Sequence, residues 1–134
     1  MGGLTARTYP ASGHNTDPVT QAWWAQGVTE PISNTQDPEL YRYGVHAPEF
    51  WINVTVAPGA YRARLKFAER RAETDAQRRP MTLCLNNQPA VQGFDVAARA
   101  GGRYRAFDLE FAEVRPRHGV IEIRLCAPGG EAML

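Results

Sequence analysis

The sequence lacks the features that mark membrane proteins and the commonest enzyme families. No apolar run approaches ~20 residues, the length that spans a bilayer, and the opening MGGLTARTYP lacks the apolar segment of a secretory signal peptide. There is no GxSxG, P-loop, HExxH or CxxC motif. These absences predict a protein without a membrane partner, without a cofactor and without catalytic activity.

The charge is also small, because 15 basic and 14 acidic residues leave a formal net charge of +1. A nearly neutral chain exerts no long-range attraction on nucleic acid or on an anionic membrane, so no nucleic-acid partner is expected. The length of 134 residues suits one domain, which we expect to cover residues 1–134. A domain of this size can form a hydrophobic core without disulfides or metals.

Cysteine and histidine are too few and too scattered to indicate a framework of disulfides or a metal site. Cys84 and Cys126 each fall within a predicted strand. A disulfide between neighbouring strands is one interpretation, but two cysteines far apart in sequence favour free thiols. His14, His46 and His118 lack the spacing of metal ligands, so no metal site is expected.

Alternating hydrophobicity is the strongest structural signal in the sequence. After the Pro58-Gly59 turn, the segment YRARLKF places Tyr61, Ala63, Leu65 and Phe67 on one face, with basic side chains on the other. Similar runs recur without intervening helices, which predicts an antiparallel β-sandwich. The predicted strands are 49–56, 61–67, 81–85, 91–96, 104–111 and 120–126, and Asn86-Asn87 is predicted to form a tight turn.

The N-terminal third looks different and is predicted to form a loop and helix arm over residues 1–38, ahead of a β-core over 39–134. Residues 1–16 show no periodicity. Asp17-Pro18 is typical of a helix start, which predicts a short helix over VTQAWWAQ ending at Gly27. Asp37-Pro38 shows the same pattern and predicts a helix of about one turn.

The aromatic residues are the best candidates for a binding site. Sugars present apolar C–H faces and a rim of hydroxyls, so they are bound by flat rings together with fixed polar groups. Tyr41, Arg42 and Tyr43 stand in a predicted loop, Trp23-Trp24 on the predicted helix, and Arg71 in a charged loop. Packing offers an alternative, since one of two adjacent tryptophans usually packs on the core and Tyr41 could serve as a structural plug.

Several segments, in order, resemble malectin-like carbohydrate-binding domains: DPELYRYG, PGAYRARLKFAE, RRPMTLCLNNQ, GFDVAARAGG and VIEIRL. The resemblance implies a jelly-roll-like β-sandwich that binds carbohydrate without catalysis, through aromatic residues on loops at one end. Tyr43 after Arg42 matches a sugar-contacting tyrosine of malectin. Arg70 and Arg71 stand where malectin has a tyrosine–phenylalanine pair, so specificity for a glucose disaccharide does not carry over.

The function expected from this resemblance is a module appended to a bacterial glycoside hydrolase, secreted or periplasmic, that binds an oligo- or polysaccharide. Its predicted contacts are Tyr43, Tyr41, Arg42, Trp23, Trp24 and Arg71. Family members continue with a last strand where this sequence stops, so the β-core is expected to lack that strand. The exposed edge would then pair with a parent enzyme domain or in a homodimer. The alternative is a structural module that binds no sugar; a glycosidase, which needs a carboxylate pair across a cleft, is the least favoured interpretation.

Overall fold

The structure is a computed structural model that describes residues 3–7, 23–25, 30–42, 44–70, 80–128 and 132–134, with only the backbone described for residues 3–7, 23–25 and 45. Across these ranges the chain is built of antiparallel strands with almost no helix. None of the helices there is long and apolar enough to cross a membrane. The strands are β1 (Gly3–Arg7), β2 (Trp23–Ala25), β3 (Gly44–Ala47), β4 (Glu49–Thr55), β5 (Tyr61–Phe67), β6 (Met81–Leu85), β7 (Gln88–Phe94), β8 (Phe107–Val114), β9 (Val120–Cys126) and β10 (Ala132–Met133); the helices are a 3₁₀ helix (Pro38–Tyr41) and α1 (Val96–Ala100).

The strands form three sheets within the described ranges. Five strands make the largest sheet, in the order β1-β4-β9-β6-β7, with all pairs antiparallel. Three short strands follow the order β10-β3-β2, and β5 pairs with β8. Because β4 follows β3 after a single residue, the three-stranded sheet is anchored directly to the largest one.

The main core lies between the five-stranded sheet and the β5–β8 pair. Phe50 of β4 and Leu125 of β9 are fully buried, and they belong to the same cluster as Leu65 and Phe67 of β5. Alternation explains this arrangement, since β9 shows strictly alternating burial that places its isoleucines and leucine inward. A second, smaller cluster contains Ile32, Tyr41, Ala68 and Ala106.

Most of the predicted strands are confirmed. Strands β5, β6 and β9 have the predicted bounds, and β4 differs from its prediction by one residue. Asn86 and Asn87 form the predicted turn with positive φ values of 48° and 64°, the left-handed conformation that asparagine tolerates. The basic face of β5 is matched by acids on β8, because Arg64 lies opposite Glu110 and Lys66 opposite Asp108.

The predicted N-terminal helix is wrong where the structure describes it. Trp23–Ala25 form β2, which pairs antiparallel with β3, while the flanking residues 17–22 and 26–27 lie outside the described residues. An eight-residue helix gains little stability from its cap alone. Pairing with β3 instead satisfies the backbone hydrogen bonds of residues 23–25, and tryptophan is a residue that strands favour. The expectation of an irregular start is also wrong for Gly3–Arg7, since β1 pairs with residues 51–55 of β4.

Strands β7 and β8 differ from the prediction at both ends, and the end of β7 and the start of β8 have identifiable backbone reasons. Strand β7 begins directly after the asparagine turn and ends at Phe94, because Asp95 caps α1 by accepting a hydrogen bond from the Ala98 amide at 2.8 Å. Strand β8 starts at Phe107 instead of residue 104. Tyr104 has a φ of 51°, a left-handed conformation that an extended strand does not accommodate.

Both cysteines are free thiols, as favoured from the sequence. Cys84 is buried and Cys126 partly buried on adjacent strands, with Cys84 opposite Arg124 and Cys126 opposite Thr82. Burial raises the pKa of the Cys126 thiol, and the positive charge of Arg124 only partly opposes this. The thiol therefore stays protonated and is poorly nucleophilic at neutral pH.

Candidate functional site

Tyr41 ends the 3₁₀ helix and lies at the centre of the candidate site. The helix follows the predicted Asp37-Pro38 start, with proline in its first turn. The Tyr41 side chain is only 4% exposed and belongs to the smaller core cluster. Arg70 donates a hydrogen bond from Nη1 to the Tyr41 carbonyl at 3.0 Å. These contacts fix the residues on either side of Tyr41 relative to the end of β5.

The Tyr41 hydroxyl joins an ion pair between the two strands of the smallest sheet. It donates to Asp108 Oδ1 at 2.6 Å and accepts from Lys66 Nζ at 3.1 Å. Lys66 Nζ also donates to Asp108 Oδ2 at 3.1 Å. Each of the three side chains therefore contacts the other two. This network fixes the position of the buried phenol and of the cross-strand ion pair.

The environment of this trio shifts two pKa values upward. Burial raises the pKa of Tyr41 above its ordinary value of 10.0, and its hydrogen bond to Asp108 raises it further, while Lys66 opposes the shift. Hydrogen bonds to Tyr41 and then Asp108 raise the pKa of Lys66 above 10.5, with burial opposing. The folded protein thus favours the neutral phenol and the charged ammonium.

These shifts predict a loss of stability at alkaline pH. A pKa raised by folding stabilises the protein fully below the unfolded value and stops doing so as the pH rises through the folded value. The free energy of unfolding, measured by urea titration, should therefore begin to fall near pH 9, where the raised pKa of Cys126 already contributes, and should fall more steeply above about pH 10. Tyr41→Phe should show a shallower fall, because its phenol no longer titrates; a fall equally steep in both proteins would contradict the assignment.

A polar cavity of about 320 Å³ opens beside this trio. It combines aromatic rings, two guanidinium groups, an amide and a carboxylate, which is the set of groups expected of a sugar site. Arg99 comes from the end of α1, while Arg105 comes from the turn that precedes β8. The polar cavity is lined by Asn34, Tyr41, Arg99, Arg105, Phe107 and Asp108, among others.

Backbone hydrogen bonds hold the two loops of the polar cavity together. The Ser33 amide donates to the Tyr104 carbonyl at 2.9 Å, and the Ala106 amide donates to the Ser33 carbonyl at 2.9 Å. Asn34 Nδ2 donates to the Ala106 carbonyl at 3.1 Å, and the Tyr104 amide donates to the Glu69 carbonyl at 2.9 Å. Arg105 is therefore presented by a turn fixed on both sides.

Some of the predicted contact residues can be placed. Tyr41 lines the polar cavity, and Arg42 forms an ion pair with Glu39 at 2.6 Å. Only the backbone of Trp23 and Trp24 is described. It pairs with His46 and Val45, which follow Arg42 by a few residues in the sequence. Tyr43 and Arg71 lie outside the described residues, although each directly follows a placed residue of the site.

The sequence did not single out Asn34, Lys66, Arg99, Arg105, Phe107 or Asp108 as site residues. Lys66 and Asp108 carried a usable signal, because opposite charges on the outward faces of two strands often pair across a sheet. The two arginines carried none. Their meeting depends on the backbone of the α1–β8 connection, which includes the left-handed Tyr104.

A second cavity of about 460 Å³ has a different character. It lies between β5 and the strands β4 and β9, and most of its side chains are aliphatic, such as Val54, Leu65 and Ile123. Few fixed hydrogen-bonding groups face it, so it offers little to the hydroxyls of a sugar. In the part of the chain that is described, no group of three or more His, Cys, Asp or Glu residues could hold a metal ion.

Comparisons with known proteins agree with this architecture. The chain matches the malectin domain family model over residues 5–133. Among curated proteins, a sequence search finds no match. A calcium-binding mutant of Bacteroides uniformis β-glucuronidase 2 superposes with a TM-score of 0.66 at 18% identity, covering 84% of this chain and 13% of that one.

Plant receptor structures share the fold as well. The complex of plant peptide RALF23 with FER and LLG2 gives a TM-score of 0.67 at 16% identity, covering 86% of this chain and 39% of that one. The ANXUR1 extracellular domain of Arabidopsis thaliana gives 0.62 at 15%, covering 87% and 39%. The chain thus spans only a fraction of each of these proteins, and the fold is a carbohydrate-binding type found in both enzymes and receptor ectodomains. Because the family model covers nearly its whole length, the chain belongs to the malectin domain family.

Proposed function

We propose that this domain is a non-catalytic carbohydrate-binding module that holds an oligo- or polysaccharide at the polar cavity. The observation that carries the proposal is the meeting of rings, guanidinium groups and an amide in one cavity of a malectin domain. Rings stack on the apolar faces of sugars, and fixed donors and acceptors hold their hydroxyls. In this proposal the three sheets form the jelly-roll-like sandwich expected for the family.

The proposed contacts extend from the polar cavity to the neighbouring segments. Tyr41 forms part of the cavity wall, while Arg42 and Tyr43 continue from it along the same segment. Arg71 follows Arg70, whose side chain is bound to the Tyr41 carbonyl. Trp23 and Trp24 are included because their strand pairs with β3, which begins one residue after Tyr43.

The likeness to a β-glucuronidase supports a role as an accessory domain of a bacterial polysaccharide-degrading enzyme, secreted or periplasmic. The module would keep the enzyme near its substrate and would carry out no chemistry itself. Affinity should be modest, since a cavity with a few rings and donors gains only several kcal/mol before the cost of ordering the glycan, about 0.5–1.5 kcal/mol per immobilised group, is subtracted.

A glycan-array screen followed by calorimetric titration tests the proposal. The domain should bind a defined glycan, and Tyr43→Ala should weaken binding about tenfold, or about 1.4 kcal/mol, because a stacking ring is lost. Tyr43→Phe, which keeps the ring, should bind nearly as well as the unchanged domain. Leu40→Ala provides a control for general surface changes nearby, since Leu40 is 59% exposed. Absence of binding to plant, microbial and glucose-based glycans by folded protein would contradict the proposal.

A structural module is the second candidate function, and a specific observation favours it. Within the described residues β5 pairs only with β8, and its other edge borders the aliphatic cavity of about 460 Å³. An unpaired edge beside apolar surface is suited to a neighbouring domain or to a second copy of the chain. This candidate predicts a dimer, or stabilisation by a neighbouring domain, with no glycan binding; a monomeric domain that binds glycan would exclude it.

A further inference from the structure

We propose that the polar cavity selects glycans that carry an anionic group, a carboxylate of a uronic acid or a sulfate ester, and that Arg99 and Arg105 bind this group. The inference rests on the proposed function and adds to it the chemical class of the ligand. It is carried by the charge of the cavity, by the partners of its charged groups and by the way the two arginines are held.

The charges that line the polar cavity do not cancel. Asp108 is the carboxylate among the lining residues, and its two oxygens already accept from Tyr41 at 2.6 Å and from Lys66 at 3.1 Å. Lys66 neutralises it. Arg99 and Arg105 are both exposed, and in the described part of the chain neither forms an ion pair. Among the described residues, the cavity therefore presents two positive charges that no acidic side chain of its lining offsets.

Uncharged contacts hold the side chain of Arg99 and the backbone on either side of Arg105. The guanidinium carbon of Arg99 lies 6.0 Å from the centre of the Phe107 ring, within the range of a cation–π contact. The Phe107 ring itself packs against the buried Phe67 ring, with 6.3 Å between centres. Arg105 lies between Tyr104 and Ala106, whose backbones are hydrogen-bonded to Ser33. This ordering lowers the entropy lost when a ligand binds.

The chemistry of these groups selects an anion that belongs to a sugar. A guanidinium presents paired N–H groups that match the two oxygens of a carboxylate or the oxygens of a sulfate. Phe107 adds aromatic surface beside the largely buried Tyr41, and Asn34 adds an amide to the lining of the same cavity. A neutral sugar would leave both guanidinium groups without a charged partner. A small free anion would leave the aromatic surface unused.

The test compares a hexamer of a uronic acid with the same hexamer as its carboxyl methyl ester. The pair differs in charge and in one methyl group per sugar. Equal affinity of acid and ester, together with equally weak binding of a sulfated hexamer, would overturn the proposal. We expect the acid to bind at least about tenfold more tightly at low salt, with the advantage shrinking as sodium chloride rises. A sulfated hexamer of a neutral sugar is measured alongside. Tighter binding of that hexamer than of the uronate would support the anion site and assign it to sulfate.

Substitutions test whether Arg99 and Arg105 cause the preference for the acid over the ester. Arg99→Gln together with Arg105→Gln should abolish the difference between acid and ester, because the acid should lose much more affinity than the ester. Arg115→Gln is the matched control, because Arg115 is 70% exposed in its side chain and follows the far end of β8; it should keep the preference. A preference that survives the double substitution would overturn the proposal.

Arg99→Lys together with Arg105→Lys separates charge from shape. Lysine keeps the charge but loses the planar fork, so part of the preference should remain. If neutral glycans bind and Tyr43→Ala weakens them, yet acid and ester bind equally and the sulfated hexamer binds no more tightly, this inference fails while the proposed function stands. If folded protein binds no hexamer and no glycan of the array, both fail together.

Discussion

Replacing Phe67 with alanine is expected to lower the free energy of unfolding by about 3–5 kcal/mol, the usual loss for a fully buried phenylalanine. Its side chain is completely buried at the end of β5. The ring meets Phe94 edge-on at 5.6 Å between centres and Phe107 at 6.3 Å, so the substitution would leave a cavity bordered by two further rings. Chemical denaturation followed by fluorescence measures the change.

The same substitution should also disturb the lining of the polar cavity, because Phe107 packs against the core and lines the cavity as well. Phe67→Leu, which keeps most of the volume, should cost clearly less than the alanine variant. Leu40→Ala should change the free energy of unfolding by no more than about 0.5 kcal/mol, as is usual for exposed positions. A loss below about 1.5 kcal/mol for Phe67→Ala would show that this ring does not lie in a tightly packed core.

Replacing Asp108 with alanine is expected to cost about 2–3 kcal/mol, since hydrogen bonds to charged groups are worth about 1.5–3 kcal/mol. The loss is large because the Tyr41 hydroxyl is left without its acceptor in a side chain that is 4% exposed. Lys66 loses its carboxylate partner at the same time. Equilibrium denaturation at pH 7 measures the effect.

A double-mutant cycle with Tyr41→Phe isolates the part that belongs to the phenol. The two substitutions should couple by about 1–2 kcal/mol, as expected for groups in one hydrogen-bond network. Glu110→Ala is the matched control, two residues along the same strand. Glu110 pairs with Arg64, but the two side chains are 43% and 48% exposed, so its loss should stay below about 1 kcal/mol. Equal losses for Asp108→Ala and Glu110→Ala would contradict the special role of the trio.

The strands were predictable wherever one face is buried and the other is polar. YRARLKF and VIEIRLC alternate so clearly that their bounds agree with β5 and β9. The helix predicted over VTQAWWAQ failed at Trp23–Ala25 because a cap is a local signal, whereas pairing with β3 depends on residues about 20 positions away. Strand β1 was missed because its short sequence has too few alternating positions for a strand to be recognised.

The candidate site was predictable only in part. The sequence pointed to the segment around Tyr41, and the structure places Tyr41 in the wall of the polar cavity. It gave no reason to bring Arg99 and Arg105 there. Their position follows from α1, from the left-handed turn at Tyr104 and from the backbone bonds to Ser33. The bonds between Ser33 and Tyr104 join residues 71 positions apart in the sequence, which no local pattern encodes.

The central claim is that the polar cavity holds the glycan, and nuclear magnetic resonance tests it most directly. The isotope-labelled domain would be titrated with the tightest-binding glycan of the screen while backbone amide shifts are followed. We expect the largest changes at Asn34, Tyr41 and residues 105–108, which line the polar cavity. Changes confined to the outer face of the five-stranded sheet, around Trp51 and Arg124, or no changes at saturating glycan, would contradict it.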